Sequence, residues 1–183
     1  MEALFSFAQS IGNALAYLVP TLCYVTGGSF LLGSVYGLYG RGKGENGPAN
    51  NPLVCFGLIF VGASLLSFPE FLNMGNATLG FASNASLGSA GSAPMRFSSD
   101  DIQTAINKGP TALLISFLHL FRMYFACYGA LLVYWGLVRQ IGSMKGKNNS
   151  PTSLNLTIII CSFILMNAET FATATCRKLG YIQ

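Results

Sequence analysis

Residues 11–39 read IGNALAYLVPTLCYVTGGSFLLGSVYGLY, a run that contains no charged side chain. A helix needs about 20 apolar residues to cross the ~30 Å hydrocarbon core of a bilayer, because it rises ~1.5 Å per residue. This run exceeds that length. It therefore predicts a membrane-spanning helix that tilts or extends into water.

Three further segments, 53–72, 111–138 and 154–171, are predominantly apolar, with one charged side chain in each. The composition agrees with them, because charged residues make up 9% of the 183 residues, whereas a soluble domain carries about 25%. Apolar residues make up 52%, and the mean hydropathy is +0.52. We therefore predict an all-α membrane protein with four transmembrane helices.

The two short connections, 40–52 and 139–151, are polar, turn-rich and basic. An excess of Lys and Arg marks the loops that stay in the cytoplasm. We expect both short loops to be cytoplasmic, with both termini and the middle loop on the opposite side, although Arg177 and Lys178 argue against this orientation. The basic residues of the short loops are Arg41, Lys43, Arg139, Lys145 and Lys147.

The middle connection, 73–109, is rich in Gly, Ala, Ser and Asn. The run Ser-Ser-Asp-Asp at 98–101 is a helix-start signal. It predicts a short amphipathic helix near 99–108, lying at the membrane interface. The chain thus divides into a first helical hairpin at 1–72, this loop, and a second helical hairpin at 110–183.

The two predicted hairpins resemble each other in sequence. An ungapped offset of 99 residues gives nine identities between positions 32 and 70 and their counterparts. They include Pro52 with Pro151 and Glu70 with Glu169. Such self-similarity predicts a tandem duplication of one hairpin. The alternative is two unrelated hairpins with similar loops.

A two-span hairpin with a short basic loop resembles the VirB2-like conjugative pilins of type IV secretion systems. The duplicated, four-span form is similar to the IcmC/DotE and TraQ group of the type IVB (Dot/Icm and IncI) machines. The similarity covers essentially the whole chain and rests on this architecture and on two stretches. These are GGSFLLGSVYGLYGRG (27–42) and FLHLFRMYFACYGALLVYWGLVRQI (117–141).

This resemblance implies a structural component of a secretion or conjugation apparatus in a bacterial inner membrane. Such a component would oligomerise, or bind other secretion subunits, to build a filament or channel for protein or DNA transport. Phospholipid would stay associated with it. Its basic loops would face cytoplasm or a lumen, where their charge would attract lipid or nucleic-acid phosphates.

Four ionisable residues are candidates for an intramembrane ion pair: Arg122, His119, Glu169 and Glu70. Arg122 lies about 17 Å into the third predicted helix, a depth at which an unpaired charge is expensive. We expect it to pair with Glu169 or Glu70, and His119 lies one turn earlier on the same face. The alternatives are an Arg122 that reaches a lumen or a lipid phosphate, and one that extends to the membrane surface.

Small residues predict a helix-packing face, either within the chain or between subunits. The candidates are Gly28, Gly33, Gly37 and Gly129. The five cysteines suit apolar packing, with a disulfide involving Cys23 or Cys176 as the alternative.

No enzyme is predicted, because the chain has a single His and lacks a Ser-His-Asp set, a phosphate loop and a metal cluster. The same residues predict no metal or cofactor. The alternatives to a secretion component are a small stand-alone channel or transporter and a membrane scaffold for an unrelated complex.

Overall fold

The computed structural model describes residues 2–45, 47–81 and 110–180, and every regular element within these ranges is helical. A short 3-10 turn, Pro48–Asn50, precedes the second helix. The all-helical class is therefore confirmed. Seven α-helices follow in chain order: α1 (Glu2–Gly42), α2 (Pro52–Leu66), α3 (Phe68–Thr78), α4 (Pro110–Leu120), α5 (Arg122–Met144), α6 (Thr152–Met166) and α7 (Ala168–Lys178).

Two helical hairpins form the body of the fold. In hairpin one α1 packs along α2, and in hairpin two α5 packs along α6. The hairpins meet because α5 also packs against α1 and α2. Met144, at the end of α5, contacts α2 near its start at Gly57. Both hairpin loops therefore lie at the same end of the bundle.

The second helix of each hairpin bends sharply. The bend is 96° at Ser67, between α2 and α3, and 80° at Asn167, between α6 and α7. The prediction of continuous helices over 53–72 and 154–171 is therefore wrong.

The two bends have different local causes. Pro69 follows Ser67 and has no backbone N–H to donate to the carbonyl four residues earlier, so it cannot continue the α2 ladder. Near the second bend there is no proline, but the Asn167 side-chain amide donates to the carbonyl of Phe163 at 2.9 Å. Such local side-chain bonds compete with the helical ladder.

One helix, Ala14–Gly42, is long and apolar enough to cross a membrane, and up to three are if each bent pair forms one span. By length and composition, the structure thus supports one to three spans among its described residues, rather than the four predicted. α2 alone has 15 residues and is about 22 Å long, which is shorter than the hydrocarbon core. The third predicted span, 111–138, is divided at Phe121 into α4 and α5.

The predicted middle loop is shorter than 73–109, because α3 continues to Thr78. Gly80 follows it with a φ of +78°, which ends the helix. The amphipathic helix predicted near 99–108 lies outside the described residues.

The hairpins repeat each other, but not at the offset of 99 residues. α2 and α3 match α6 and α7 in length, with 15 and 11 residues in each pair, at an offset of 100. The ends of α1 and α5, at Gly42 and Met144, are offset by 102. The ungapped alignment is therefore wrong by one residue in the second helix and by three in the first.

The helix ends show where hairpin one contains two more residues than hairpin two. Gly44 and Gly146, offset by 102, both have positive φ, +85° and +70°. The backbone N–H of Glu45 bonds Gly40 O at 3.1 Å, and that of Lys147 bonds Gly142 O at 2.9 Å. Both are Schellman caps, in which glycine adopts the left-handed conformation at low cost. The extra two residues of hairpin one therefore follow the cap, before α2 begins.

Small residues let the helices of each hairpin approach closely. A Cβ atom added to Gly27 of α1 would lie 3.0 Å from Gly62 O, and one added to Gly62 would lie 3.0 Å from Gly27 O. The matching positions in hairpin two are Gly129 and Ser162, and a Cβ on Gly129 would lie 2.8 Å from Ser162 O. Close backbone approach of this kind is how helices associate without a hydrophobic driving force.

We expect Gly27→Ala to lower the thermal stability of the detergent-solubilised protein, by about 1–3 kcal/mol, because the two backbones must separate. The matched control is Gly33→Ala, at a position where an added Cβ meets no atom within 4 Å. The control should leave stability unchanged or raise it by up to about 1 kcal/mol, since Ala favours helix over Gly. Circular dichroism during heating measures both, and equal effects of the two variants would contradict the packing.

Candidate functional site

The bent end of the bundle carries a cluster of ionisable side chains around Glu169. The bend at Asn167 turns α7 so that Glu169, its second residue, faces α4 and α5. Glu169 Oε1 lies 2.7 Å from Nδ1 of His119, and Oε2 lies 3.9 Å from Nε of Arg122. The three predicted residues are thus brought together, and when Glu169 is ionised His119 Nδ1–H donates to it.

The surroundings of this cluster differ from those expected at the middle of a long helix. His119 and Arg122 flank the break at Phe121, so Arg122 is the first residue of α5. Its side chain is 56% exposed, against 26% for Glu169. A depth counted along one unbroken helix therefore does not apply to Arg122.

The fourth predicted member, Glu70, does not join this cluster. It lies exposed in the first turn of α3, in hairpin one. Among the described residues, Arg122 pairs with Glu169 and not with Glu70. A carboxylate in a helix's first turn is favoured there by the helix dipole alone, which is sufficient reason for an acid at that position.

An open cleft of about 340 Å³ adjoins the cluster. Two guanidinium groups and two threonine side chains line it beside the Glu169 carboxylate, so it offers several hydrogen-bond donors to an anionic or polar group. The lining residues are Arg122, Glu169, Thr170, Thr173, Ala174 and Arg177.

A buried amide pair ties the two hairpins together at the same end. Asn76 lies on α3 and Asn167 at the second bend, and Asn167 Nδ2 donates to Asn76 Oδ1 at 2.8 Å. Next to this amide pair, Gly75 lies so close to the ring of Phe163 that a Cβ atom on Gly75 would overlap the ring. Neither contact was predicted from the sequence, where nothing distinguishes Asn76, which is only 2% exposed, from the other polar residues near the middle loop.

A second polar group links α5 to α6 near the loops. Asn155 Nδ2 donates to Gln140 Oε1 at 2.9 Å, and Ser143 Oγ donates to Ser150 O at 2.7 Å. Asn155 is buried, and its Oδ1 has no partner among the described residues. Buried amides of this kind fix the register of two apolar helices, since sliding would leave them unpaired.

The predicted basic loop residues lie at the opposite end from the Glu169 cluster. Arg41, Lys43 and Lys147 are exposed. Lys43 Nζ lies 4.7 Å from the ring centroid of Tyr39, and Lys145 Nζ lies 5.9 Å from that of Phe30. Burial lowers the pKa of Lys145, and the charge of Lys147 lowers it further.

Arg139, the fifth of these basic residues, is half-buried on α5. The prediction that all five lie in loops is wrong, because α1 continues to Gly42 and α5 to Met144, so Arg41 and Arg139 lie in helices. The five basic residues nevertheless gather at one end of the bundle.

The predicted packing glycines have different surroundings. Gly129 contacts α6, as described above, and Gly37 is buried. Gly28 and Gly33 meet no atom of another helix within 4 Å, because Gly27 occupies the contact with α2. Spacing alone could not distinguish Gly27 from its neighbour Gly28.

No disulfide joins the five cysteines, all of which fall within the described ranges. Cys23, Cys55 and Cys127 are buried among the helices, and Cys161 is exposed on α6. Residues 2–45, 47–81 and 110–180 contain no group of three or more His, Cys, Asp or Glu placed to hold a metal ion.

Comparison of the chain with protein-family models, with curated proteins and with solved structures finds no match.

The amide pair should contribute measurably to stability. We expect Asn167→Ala to cost about 1–3 kcal/mol, because it leaves a buried polar partner unsatisfied. Combined with Asn76→Ala in a double-mutant cycle, it should show a coupling of about 0.5–3 kcal/mol. Thr175→Ala, which removes a hydroxyl bonded within its own helix, is the control. Strictly additive effects of the two Asn variants would rule out the bridge.

The Glu169 cluster should have a smaller effect, since its members are partly exposed. We expect Glu169→Gln to destabilise the protein by up to about 1 kcal/mol. Glu70→Gln removes an acid from the corresponding first turn of α3 and should lose only the helix-dipole contribution, which the two variants share. Thermal unfolding in the same detergent compares the two variants, and a Glu70 variant that destabilises as much as the Glu169 variant would refute a specific role for the cluster.

Proposed function

We propose that this chain is a structural, pilin-like component of a bacterial type IV secretion or conjugation apparatus, resident in the inner membrane. The observation that carries the proposal is the repeated hairpin. Each copy has a basic loop at one end, a close small-residue contact between its long helices, and a sharp bend at the other end. We propose an assembly role rather than a catalytic one.

The outer surface supports a membrane location. Large apolar side chains are exposed along the long helices, beyond what a soluble monomer presents to water. Examples are Leu32 and Tyr36 on α1, Phe56 and Phe60 on α2, and Trp135 on α5. Lipid contact would cover such a surface. Phospholipid and other secretion subunits are the expected partners.

The proposed topology has four crossings. α1 forms the first, α4 with α5 forms the third, and the bent pairs α2–α3 and α6–α7 form the second and fourth. Both basic loops then face the cytoplasm, and the Glu169 cluster lies at the periplasmic side. In this arrangement the bent helices α3 and α7 run along the membrane surface, and the bilayer thins around α2 and α6, whose 15 residues are shorter than the average hydrocarbon core.

Labelling with a membrane-impermeant thiol reagent tests this topology. In a variant lacking the five native cysteines, Lys147→Cys should react only after the cytoplasmic side is opened, whereas Lys178→Cys should react in intact spheroplasts. Reaction of both from the same side would contradict the four-span topology.

The size of the solubilised particle tests the assembly role. We expect a complex many times the 19.5 kDa mass of the chain, measured by mass photometry after mild detergent extraction. A monomer or dimer that small solutes stabilise would instead favour a stand-alone channel or transporter.

A further inference from the structure

The two hairpins are equivalent in structure but not in surroundings. In hairpin two, α5 packs against α1 and α2 of hairpin one. The corresponding surface of hairpin two, on α5 and α6, has no further hairpin packed against it among the described residues. The offsets of 102 residues for the first helices and 100 for the second identify the equivalent positions. These equivalent positions are the ones that would meet if the contact between the hairpins were repeated with another hairpin.

One face of α5 forms a ridge in the common core, consisting of Ala130, Val133, Leu137, Ile141 and Met144. Met144 and Ile141 reach α2 at Gly57, where an added Cβ would lie 2.6 Å from Met144 Cε and 3.8 Å from Ile141 Cδ1. Leu137 lies one turn before Ile141 on the same face. Leu137 is 6% exposed and Ile141 is 2% exposed.

The α1 ridge consists of the equivalent residues, Gly28, Leu31, Val35, Tyr39 and Gly42. Leu31 is half-buried against α2 at Gly62, whereas the end of the ridge toward the loop is uncovered. Val35 is 65% exposed and Tyr39 is 60% exposed. Both glycines meet no atom within 4 Å of an added Cβ. The α1 ridge is therefore apolar apart from the Tyr39 hydroxyl, with glycines at both ends.

The surface that receives the α5 ridge is also covered in hairpin one and exposed in hairpin two. On α2 it is formed by Val54, Gly57, Leu58 and Val61, and its three large side chains are buried in the common core. The equivalents on α6 are Leu154, Thr157, Ile158 and Cys161. Leu154 is 41% exposed, against 2% for Val54, and Thr157 and Cys161 are exposed. The described part of the chain therefore has two largely exposed surfaces: the α1 ridge and the receiving surface on α6.

We propose that these two surfaces bind each other between copies of the chain, so that the α1 ridge of one copy packs against α5 and α6 of the next. The contact repeats the one between the hairpins of a single chain. It is heterologous, because different surfaces meet, and such contacts generate a closed ring or an open filament. This inference rests on the proposed assembly role and names the surfaces that produce it.

The residue types favour a second copy over lipid as the occupant. Lipid covers a ridge of any shape, so a purely lipid-facing helix has no need of glycines. Small residues at Gly28 and Gly42 allow close approach of another helix, as Gly27 already allows for α2. The internal contact also shows that a surface of this composition binds an equivalent ridge in this protein.

Thiol crosslinking tests the interface directly. In the background without native cysteines, Gly42→Cys and Thr157→Cys are combined in one chain. They replace the equivalents of Met144 and Gly57, which touch within the chain. A short bis-maleimide applied in membranes should give a ladder of dimers, trimers and higher multimers on denaturing gels.

Two matched variants complete the experiment. The pair Gly57→Cys with Met144→Cys should crosslink within the monomer, which shows that the fold and the internal contact are intact. The pair Gly42→Cys with Leu156→Cys should give no ladder, because Leu156 lies on a different face of α6 from Thr157. A ladder from this pair would indicate random collision and overturn the proposal.

The remaining outcomes separate this interface from the proposed function. An intact internal crosslink without a ladder, or with dimers alone, overturns the interface. If mass photometry still shows a large particle, the assembly role stands on another surface, whereas a monomer would refute both. If Gly57→Cys and Met144→Cys fail to crosslink, the proposal is also overturned, because the contact between hairpins that the proposed interface repeats would be absent.

Discussion

Close contact between backbones, made possible by missing side chains, is the constraint on which the rest of this fold depends. At Gly27 and Gly62 the two helices of hairpin one approach until each carbonyl occupies the space of the other residue's Cβ. The same geometry recurs at Gly129 and Ser162. In the proposed membrane location, apolar side chains would gain little by leaving lipid for one another, so packing of this kind would hold the helices together.

The second constraint is the bend that ends each hairpin. At Ser67 and Asn167 the chain turns through 96° and 80°, which brings α3 beneath the second hairpin and α7 against α4. The bends position one set of polar contacts, the Asn76–Asn167 bridge and the Glu169 cluster. A second set, around Asn155, lies near the loops at the other end.

Composition and apolar run length predicted the helices and hairpins. The ion-pair prediction grouped Arg122 and His119 with Glu169 or Glu70 from a depth that does not apply to the divided helix, and the structure pairs Arg122 with Glu169. Composition and run length could not predict the bends, because the apolar character continues through Ser67 while the ladder stops at Pro69, and because Asn167 breaks its helix by a side-chain bond. The ungapped comparison missed the two extra residues after Gly44, and so paired the wrong positions. Gly27 and Gly28 are adjacent glycines that only the three-dimensional contact distinguishes.

The central claim is that two equivalent hairpins lie side by side, with both loops at one end. Spin labels at Lys43 and Lys147, measured by double electron–electron resonance in nanodiscs, test it most directly. Dilution with unlabelled protein restricts the signal to single chains. We predict one narrow distance distribution below about 30 Å, the thickness of the hydrocarbon core. A distribution centred well above that thickness would place the loops at opposite ends and contradict the arrangement.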